Sequence, residues 1–342
     1  MKKLDRDSIR KILIRSTNWI GDAVMTTPAM AAVRTTFPKA EIVVAANPMV
    51  SELFTPHPAC DRVIVFDKKG KDSGLRGLAR FAGQLRGESF DLAILFQNAL
   101  EAALMASLAG IPRRLGYRRD MRTLLLTHGV PCGKAERRLH HTTYYLHLLQ
   151  SYGIEGGTGM LHLTCTEAER DWASRLLSRG QTWVAVNPGA SYGSAKRWFP
   201  DRFAAVADAL AGQYSTGIAI IGGPGEIDLG SDIEKAMKHA SLNLVGKTSV
   251  RQMMAVLSHC RLMVTNDSGP MHVAAALGVP VVALFGPTDH TTTSPLIPLH
   301  QIVRKRVHCA PCLKRVCPTD HWCMTAIEVD DVLGAAYRLL SP

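Results

Sequence analysis

Residues 261–290, RLMVTNDSGPMHVAAALGVPVVALFGPTDH, read as strand, turn, helix and strand in quick succession. An apolar run at 262–265 ends in Asn266-Asp267-Ser268-Gly269, a helical run follows at 270–277, and a second apolar strand at 281–285 closes on Gly286-Pro287. Strands joined through a helix pair in parallel, so this segment commits the chain to a βαβ unit with helices covering its sheet. The first strand delivers small polar residues into a glycine turn at a helix start. There, backbone N–H groups approach closely and the helix adds partial positive charge, which suits a diphosphate. The segment therefore points to a nucleotide-diphosphate pocket. His272 falls in the same helical turn, where it reads equally as a group facing that crevice and as a buried, satisfied histidine. Asp267 reads also as a helix cap.

The same rhythm runs through the whole chain. Strands are expected at 12–15, 42–45, 63–66, 92–96 and 114–117, with helices at 22–36, 73–86, 98–109 and 138–151. After the connector GIEGGTG (153–159), a helix at 167–179 leads into strands at 184–187, 218–221, 243–245, 262–265 and 281–285. Helices at 201–212, 227–239, 250–258, 270–277 and 328–340 complete this half. Alternation at this spacing predicts an α/β protein of two doubly wound Rossmann-like domains. Their expected bounds are 1–155 and 160–325, with a C-terminal helix, 326–342, packing back toward the N-terminal domain. Ligands of such sheets lie beyond the carboxyl ends of the strands, so the active site is expected in a cleft between the domains.

Composition excludes several classes. No apolar run approaches the roughly 20 residues of a membrane span, and the nearest, 99–111, is short and contains Glu101. Asp5, Asp7 and Arg10 stand where a signal peptide would need an apolar core, so a cytoplasmic protein is expected. Residues 1–160 hold 23 of the 40 Lys+Arg and 14 of the 29 Asp+Glu, which places +9 of the net +11 in the first half. Arg113-Arg114, Arg118-Arg119, Arg122 and Arg137-Arg138 make up much of the excess. They read either as a solvated basic face or as a surface for a polyanion. Aromatic residues are not interleaved with them, so nucleic acid is not the expected partner.

Three loops add candidate chemistry. Arg15-Ser16-Thr17-Asn18-Trp19-Ile20-Gly21-Asp22 leaves the first strand without G-x-G-x-x-G, which removes the main support for a nicotinamide or flavin site. Asp22 reads as a helix N-cap, or as a carboxylate able to take a proton from a hydroxyl. Asn187-Pro188-Gly189-Ala190-Ser191, followed by Lys196, offers small residues and one cation to phosphate oxygens. Glu226, after Gly222-Gly223-Pro224-Gly225, is placed to accept ribose hydroxyls. Cys309, Cys312, Cys317 and Cys323 are spaced either for a structural zinc or iron–sulfur site or simply as thiols.

The segments RSTNWIGDAVMTTPAM (15–30), NPGASYGSAKRWFP (187–200), GGPGE (222–226) and NDSGPMHVAAALGVPVVALFGPTD (266–289) together resemble glycosyltransferase family 9, the ADP-heptose:lipopolysaccharide heptosyltransferases. They follow family order across both halves. The first segment and the Cys-rich tail are most similar to the heptosyltransferase II branch. The resemblance implies a GT-B fold whose N-terminal half takes a lipid-linked acceptor and whose C-terminal half takes ADP-heptose. It implies Asp22 as general base, Lys196 on the diphosphate with Ser191 nearby, Glu226 on the nucleoside, and Asp267, Ser268, Gly269 and His272 as the donor-binding motif. Asn18, Arg118 and Arg119 are the candidate acceptor contacts. The implied reaction is inverting transfer of L-glycero-D-manno-heptose from ADP-heptose to Kdo2-lipid A carrying one heptose, with heptosyltransferase I or III activity as the alternative. No cofactor is expected for catalysis, because Lys196 and backbone donors can serve the diphosphate. The implied location is peripheral, on the anionic cytoplasmic face of the inner membrane. A non-enzymatic binding protein on the same scaffold would not need Asp22, Lys196, Glu226 and His272 together.

Overall fold

A computed structural model describes residues 4–177 and 181–341. The chain forms two compact units, Met1–Thr164 and Cys165–Pro342. The first contains strands β1 (Lys11–Arg15), β2 (Glu41–Ala46), β3 (Arg62–Val65), β4 (Leu92–Leu95), β5 (Arg113–Tyr117) and β6 (His128–Val130). Its helices are α1 (Ile20–Met25), α2 (Thr27–Thr36), α3 (Pro48–Ser51), α4 (Gly74–Gly87), α5 (Leu100–Leu108) and α6 (His141–Gln150). All six strands are parallel, in the order β3-β2-β1-β4-β5-β6. β1 has Ile12, Leu13 and Ile14 wholly buried, as expected of a central strand covered on both faces.

The second unit repeats this plan. After α7 (Glu167–Leu176) come β7 (Trp183–Asn187), α8 (Pro200–Tyr214), β8 (Gly217–Ile220), α9 (Ile227–Ala236), β9 (Ser241–Asn243) and α10 (Val250–Leu257). Then follow β10 (Cys260–Asn266), α11 (Gly269–Ala276), β11 (Val281–Leu284), α12 (His290–Thr293), β12 (His300–Val303), α13 (Trp322–Thr325) and α14 (Val329–Leu340). The parallel order is β12-β11-β10-β7-β8-β9. In both sheets the winding reverses between the first strand and its later neighbour, β1 beside β4 and β7 beside β10. The loops leaving those strands therefore flank the crevice where doubly wound sheets bind ligands.

Local chemistry explains where the elements depart from expectation. The helix expected over 22–36 is two helices meeting at Thr26. Pro28 has no N–H for the carbonyl of Val24, and the Thr27 hydroxyl donates to it instead, at 2.8 Å. The last positions of the helix expected over 167–179 lie outside the described residues. The C-terminal helix, expected to pack back toward the first domain, buries Val332, Ala335, Ala336 and Leu340 in the core that β7, β8, β10, β11 and α8 build in the second unit. No described helix is long and apolar enough to cross a membrane.

Candidate active site

The second unit gathers its sequence-predicted residues at the carboxyl edge of its sheet. Asn187, the last residue of β7, is buried and donates its side-chain amide to the hydroxyls of Thr265 at 3.1 Å and Ser268 at 2.7 Å. Asn266, ending β10, accepts from the Trp198 N–H and donates to the carbonyl of Pro188 at 2.7 Å. These two asparagines stitch the 188–198 loop to the 266–269 turn. Between them Lys196 Nζ lies 2.6 Å from Asp267 Oδ2, with side chains 13% and 5% exposed. Asp267 is therefore no helix cap: α11 starts after Ser268, and the same Oδ2 also accepts from the Thr288 hydroxyl at 2.6 Å. Ser268 makes no side-chain cap bond, so it leaves the first-turn N–H groups of α11 to another acceptor. His272 is buried on α11, and Ser191 is exposed on the loop after β7. The Glu226 carboxylate accepts from Gly223 N–H at 2.8 Å and sits so close over Gly189 that a Cβ there would lie 2.0 Å from it. It thus joins the β7 and β8 loops.

The Cys-rich segment reaches this site by an unexpected route. Ala195 N–H donates to the carbonyl of Arg315, Tyr192 Oη to that of Leu313 at 2.9 Å, and the His321 ring meets the carbonyl of Ala195 at 2.6 Å. Lys196 and Arg315 also lie over the Tyr192 ring. The tail therefore braces the loop that carries Lys196. Among the described residues no group of three or more His, Cys, Asp or Glu side chains is arranged to hold an ion. Cys309 is exposed, the Cys317 thiol meets the Thr319 hydroxyl at 3.6 Å, and Cys323 is buried on α13. Burial, reinforced by the other three cysteines, pushes the Cys323 thiol up to about 11.

In the first unit the loop after β1 rests on a buried arginine. Arg15 donates to the carbonyls of Ser16 and Ala45 and to Asn18 Oδ1 at 3.3 Å, and Asn47 donates to the carbonyl of Asn18. Burial lowers its pKa to about 10, which leaves it charged at neutral pH. Asp22 lies within the first turn of α1, whose N-cap is Trp19, so it does not cap the helix. Its Oδ1 is 3.0 Å from Nδ1 of His141, the first residue of α6. Burial pushes the Tyr145 phenol well above its usual range. The Asp22 carboxylate adds to that shift and Arg119 opposes it, so both charges stand near one phenol. Arg118 is placed differently, lying along β6 where a Cβ on Gly129 would meet its side chain at 2.8 Å. Arg122, read above as surface charge, is wholly buried and donates to carbonyls of Tyr117 and Gln97 and to Asn98 Oδ1. Its place is structural: it ties the ends of β4 and β5.

Two doubly wound parallel sheets, one edged by a lysine paired with a buried aspartate and by a helix start, the other by a partly exposed carboxylate, are the architecture of a GT-B glycosyltransferase. The chain belongs to glycosyltransferase family 9 (heptosyltransferase), whose model matches residues 78–323. It is 28% identical over 339 residues to lipooligosaccharide heptosyltransferase 2 of Campylobacter jejuni, covering 97% of this chain and 100% of that protein. With lipopolysaccharide heptosyltransferase 2 of Escherichia coli it shares 29% identity, over 86% of this chain and 88% of the other. Among solved structures, Escherichia coli ADP-heptose lps heptosyltransferase II superposes with a TM-score of 0.82 at 27% identity, covering 96% of this chain and 98% of that one. A family 9 glycosyl transferase from Veillonella parvula gives 0.89 at 25% identity, with coverages of 99% and 98%.

Proposed function

We propose that this enzyme is a heptosyltransferase II, moving heptose from ADP-heptose to the first heptose of the lipopolysaccharide inner core with inversion. The observation that carries the donor half is the assembly of Lys196, Asp267, Ser268 and Glu226 on the loops of one sheet edge. Relatives that carry the heptosyltransferase 2 name over most of their length support the acceptor. In this reading Lys196 and the α11 N-terminus neutralise charge growing on the departing diphosphate, while Glu226 takes ribose hydroxyls. Asp22 accepts the proton of the acceptor hydroxyl; that oxygen bonds to the anomeric carbon as the bond to ADP breaks, and the electron pair leaves with the diphosphate. Asn18 and Arg119 are the proposed acceptor contacts near Asp22. Arg118, turned along β6, is assigned to acceptor charge further out. No metal step is required, because a buried lysine and backbone donors supply the positive charge.

The test is transfer from ADP-heptose to purified Kdo2-lipid A bearing one heptose, with heptose-free Kdo2-lipid A in parallel. Product with the mono-heptosylated lipid alone is expected. Product with the heptose-free lipid alone would make the enzyme a heptosyltransferase I and overturn the reading.

A further inference from the structure

We propose that His141 is the positioning residue of the catalytic base, holding Asp22 by one oxygen so that the other faces the acceptor hydroxyl. This rests on reading Asp22 as the base. The contact joins residues 119 apart in sequence at 3.0 Å, between the first turns of α1 and α6, which pack together. His141 is set in place by its own helix start, where the His140 ring accepts from Thr142 N–H at 3.3 Å. The side chains of His141 and Asp22 are 38% and 28% exposed, so a substrate hydroxyl can reach the pair.

A carboxylate on a short side chain turns freely unless something holds it. An imidazole donating Nδ1–H to Oδ1 removes that freedom and fixes the direction of the Oδ2 lone pairs. When Oδ2 takes the acceptor proton, the proton stays there, so no second transfer to His141 is needed. Tyr145 on α6 feels both the Asp22 carboxylate and Arg119 after β5, with Tyr144 beside it and His140 capping the helix. On α2, Arg34 is engaged with Asp61. A partly exposed His–Asp pair contributes little to stability. Its removal should therefore be read in turnover rather than in melting.

The experiment compares wild type, Asp22→Asn, His141→Ala and His141→Asn in the heptose transfer assay, with Tm measured for each. Asp22→Asn should be nearly inactive. His141→Ala should lose about tenfold to a hundredfold in kcat, a part of the ~10²–10⁴ a general base supplies, with unchanged KM for ADP-heptose and unchanged Tm. His141→Asn, whose amide N–H stands near the place of Nδ1, should recover much of the loss. Wild-type kcat in His141→Ala beside an inactive Asp22→Asn overturns the positioning role and leaves the base in place. Loss of kcat together with Tm, without recovery in His141→Asn, overturns it as a folding effect. An active Asp22→Asn overturns the base reading itself, and this inference with it.

Discussion

At the scale of the residue, Lys196 and Asp267 form the pair on which the donor reading depends. Both are largely buried, and Asp267 also takes the Thr288 hydroxyl. Lys196→Met removes the cation proposed for the leaving diphosphate and strands a buried carboxylate. A loss of about 10²–10³ in kcat/KM is expected in steady-state kinetics, the range for losing one transition-state charge partner. Wild-type kcat/KM in a folded Lys196→Met would remove the lysine from the mechanism. The sequence named Lys196, Asp267, Glu226 and Asp22 because each stands in a short motif at a strand end, where local pattern and chemistry coincide. It assigned no role to Arg15, Thr288 or His141. Arg15 ends an apolar strand, and its role depends on the carbonyls of Ser16 and of Ala45 on β2. His141 sits in a histidine-rich helix start with no motif, and what gives it meaning is Asp22, far away along the chain. Asp22 and Asp267 also look like helix caps in sequence; only the position of each helix start decides against that.

At the scale of the element, one edge of each sheet was the hardest to read. β6 (HGV) and β12 (HQIV) were absent from the sequence expectation because neither carries a continuous apolar run to announce it. The bracing role of the tail was hidden in sequence because it runs through backbone carbonyls rather than through the cysteines that mark the segment. At Gly193 tail and donor loop lie close, since a Cβ there would stand 2.2 Å from the carbonyl oxygen of Arg315. Neither backbone can yield without moving Lys196. Gly193→Ala should therefore weaken ADP binding about tenfold by calorimetry, as overpacking of about 1–3 kcal/mol implies. Unchanged ADP affinity would mean that the tail does not support the loop. In the first unit, Glu88 at the end of α4 binds Lys11 of β1 at 2.7 Å and Arg62 of β3, fastening the helix to the sheet. Arg62 first, then Lys11, hold the Glu88 carboxyl down to about 2 against an ordinary 4.5. A depressed folded-state pKa gives stability that is present above about 4.5 and lost as pH falls toward 2. Glu88→Gln should therefore be less stable than wild type at neutral pH, with the two melting temperatures converging over that acid window. Parallel melting curves would show that the network adds no stability.

At the scale of the whole molecule, the fold class was legible because alternation of apolar strands and helices is a global pattern that no single misplaced boundary disturbs. Net charge was less informative than its count. Of the arginines in the first half, Arg15 and Arg122 are buried on carbonyls, and Arg34, Arg62 and Arg80 face carboxylates. What remains for a polyanion is a smaller set that includes exposed Arg118, Lys134, Arg137 and Arg138. A peripheral attachment to an anionic bilayer would therefore be electrostatic and local, with roughly 1 kcal/mol for each basic residue near the surface, fading within a Debye length. Arg137→Ala with Arg138→Ala removes about 2 kcal/mol on that scale, or about thirtyfold in partitioning. Sedimentation with phosphatidylserine-containing vesicles at low salt should show that loss. Phosphatidylcholine vesicles should bind neither protein, and Tm should not change. Raising the salt should erase the difference, because it screens in the wild type what the substitution removes. Equal binding of both proteins to anionic vesicles at low salt would separate the basic face from the membrane and leave its arginines to the charged acceptor alone.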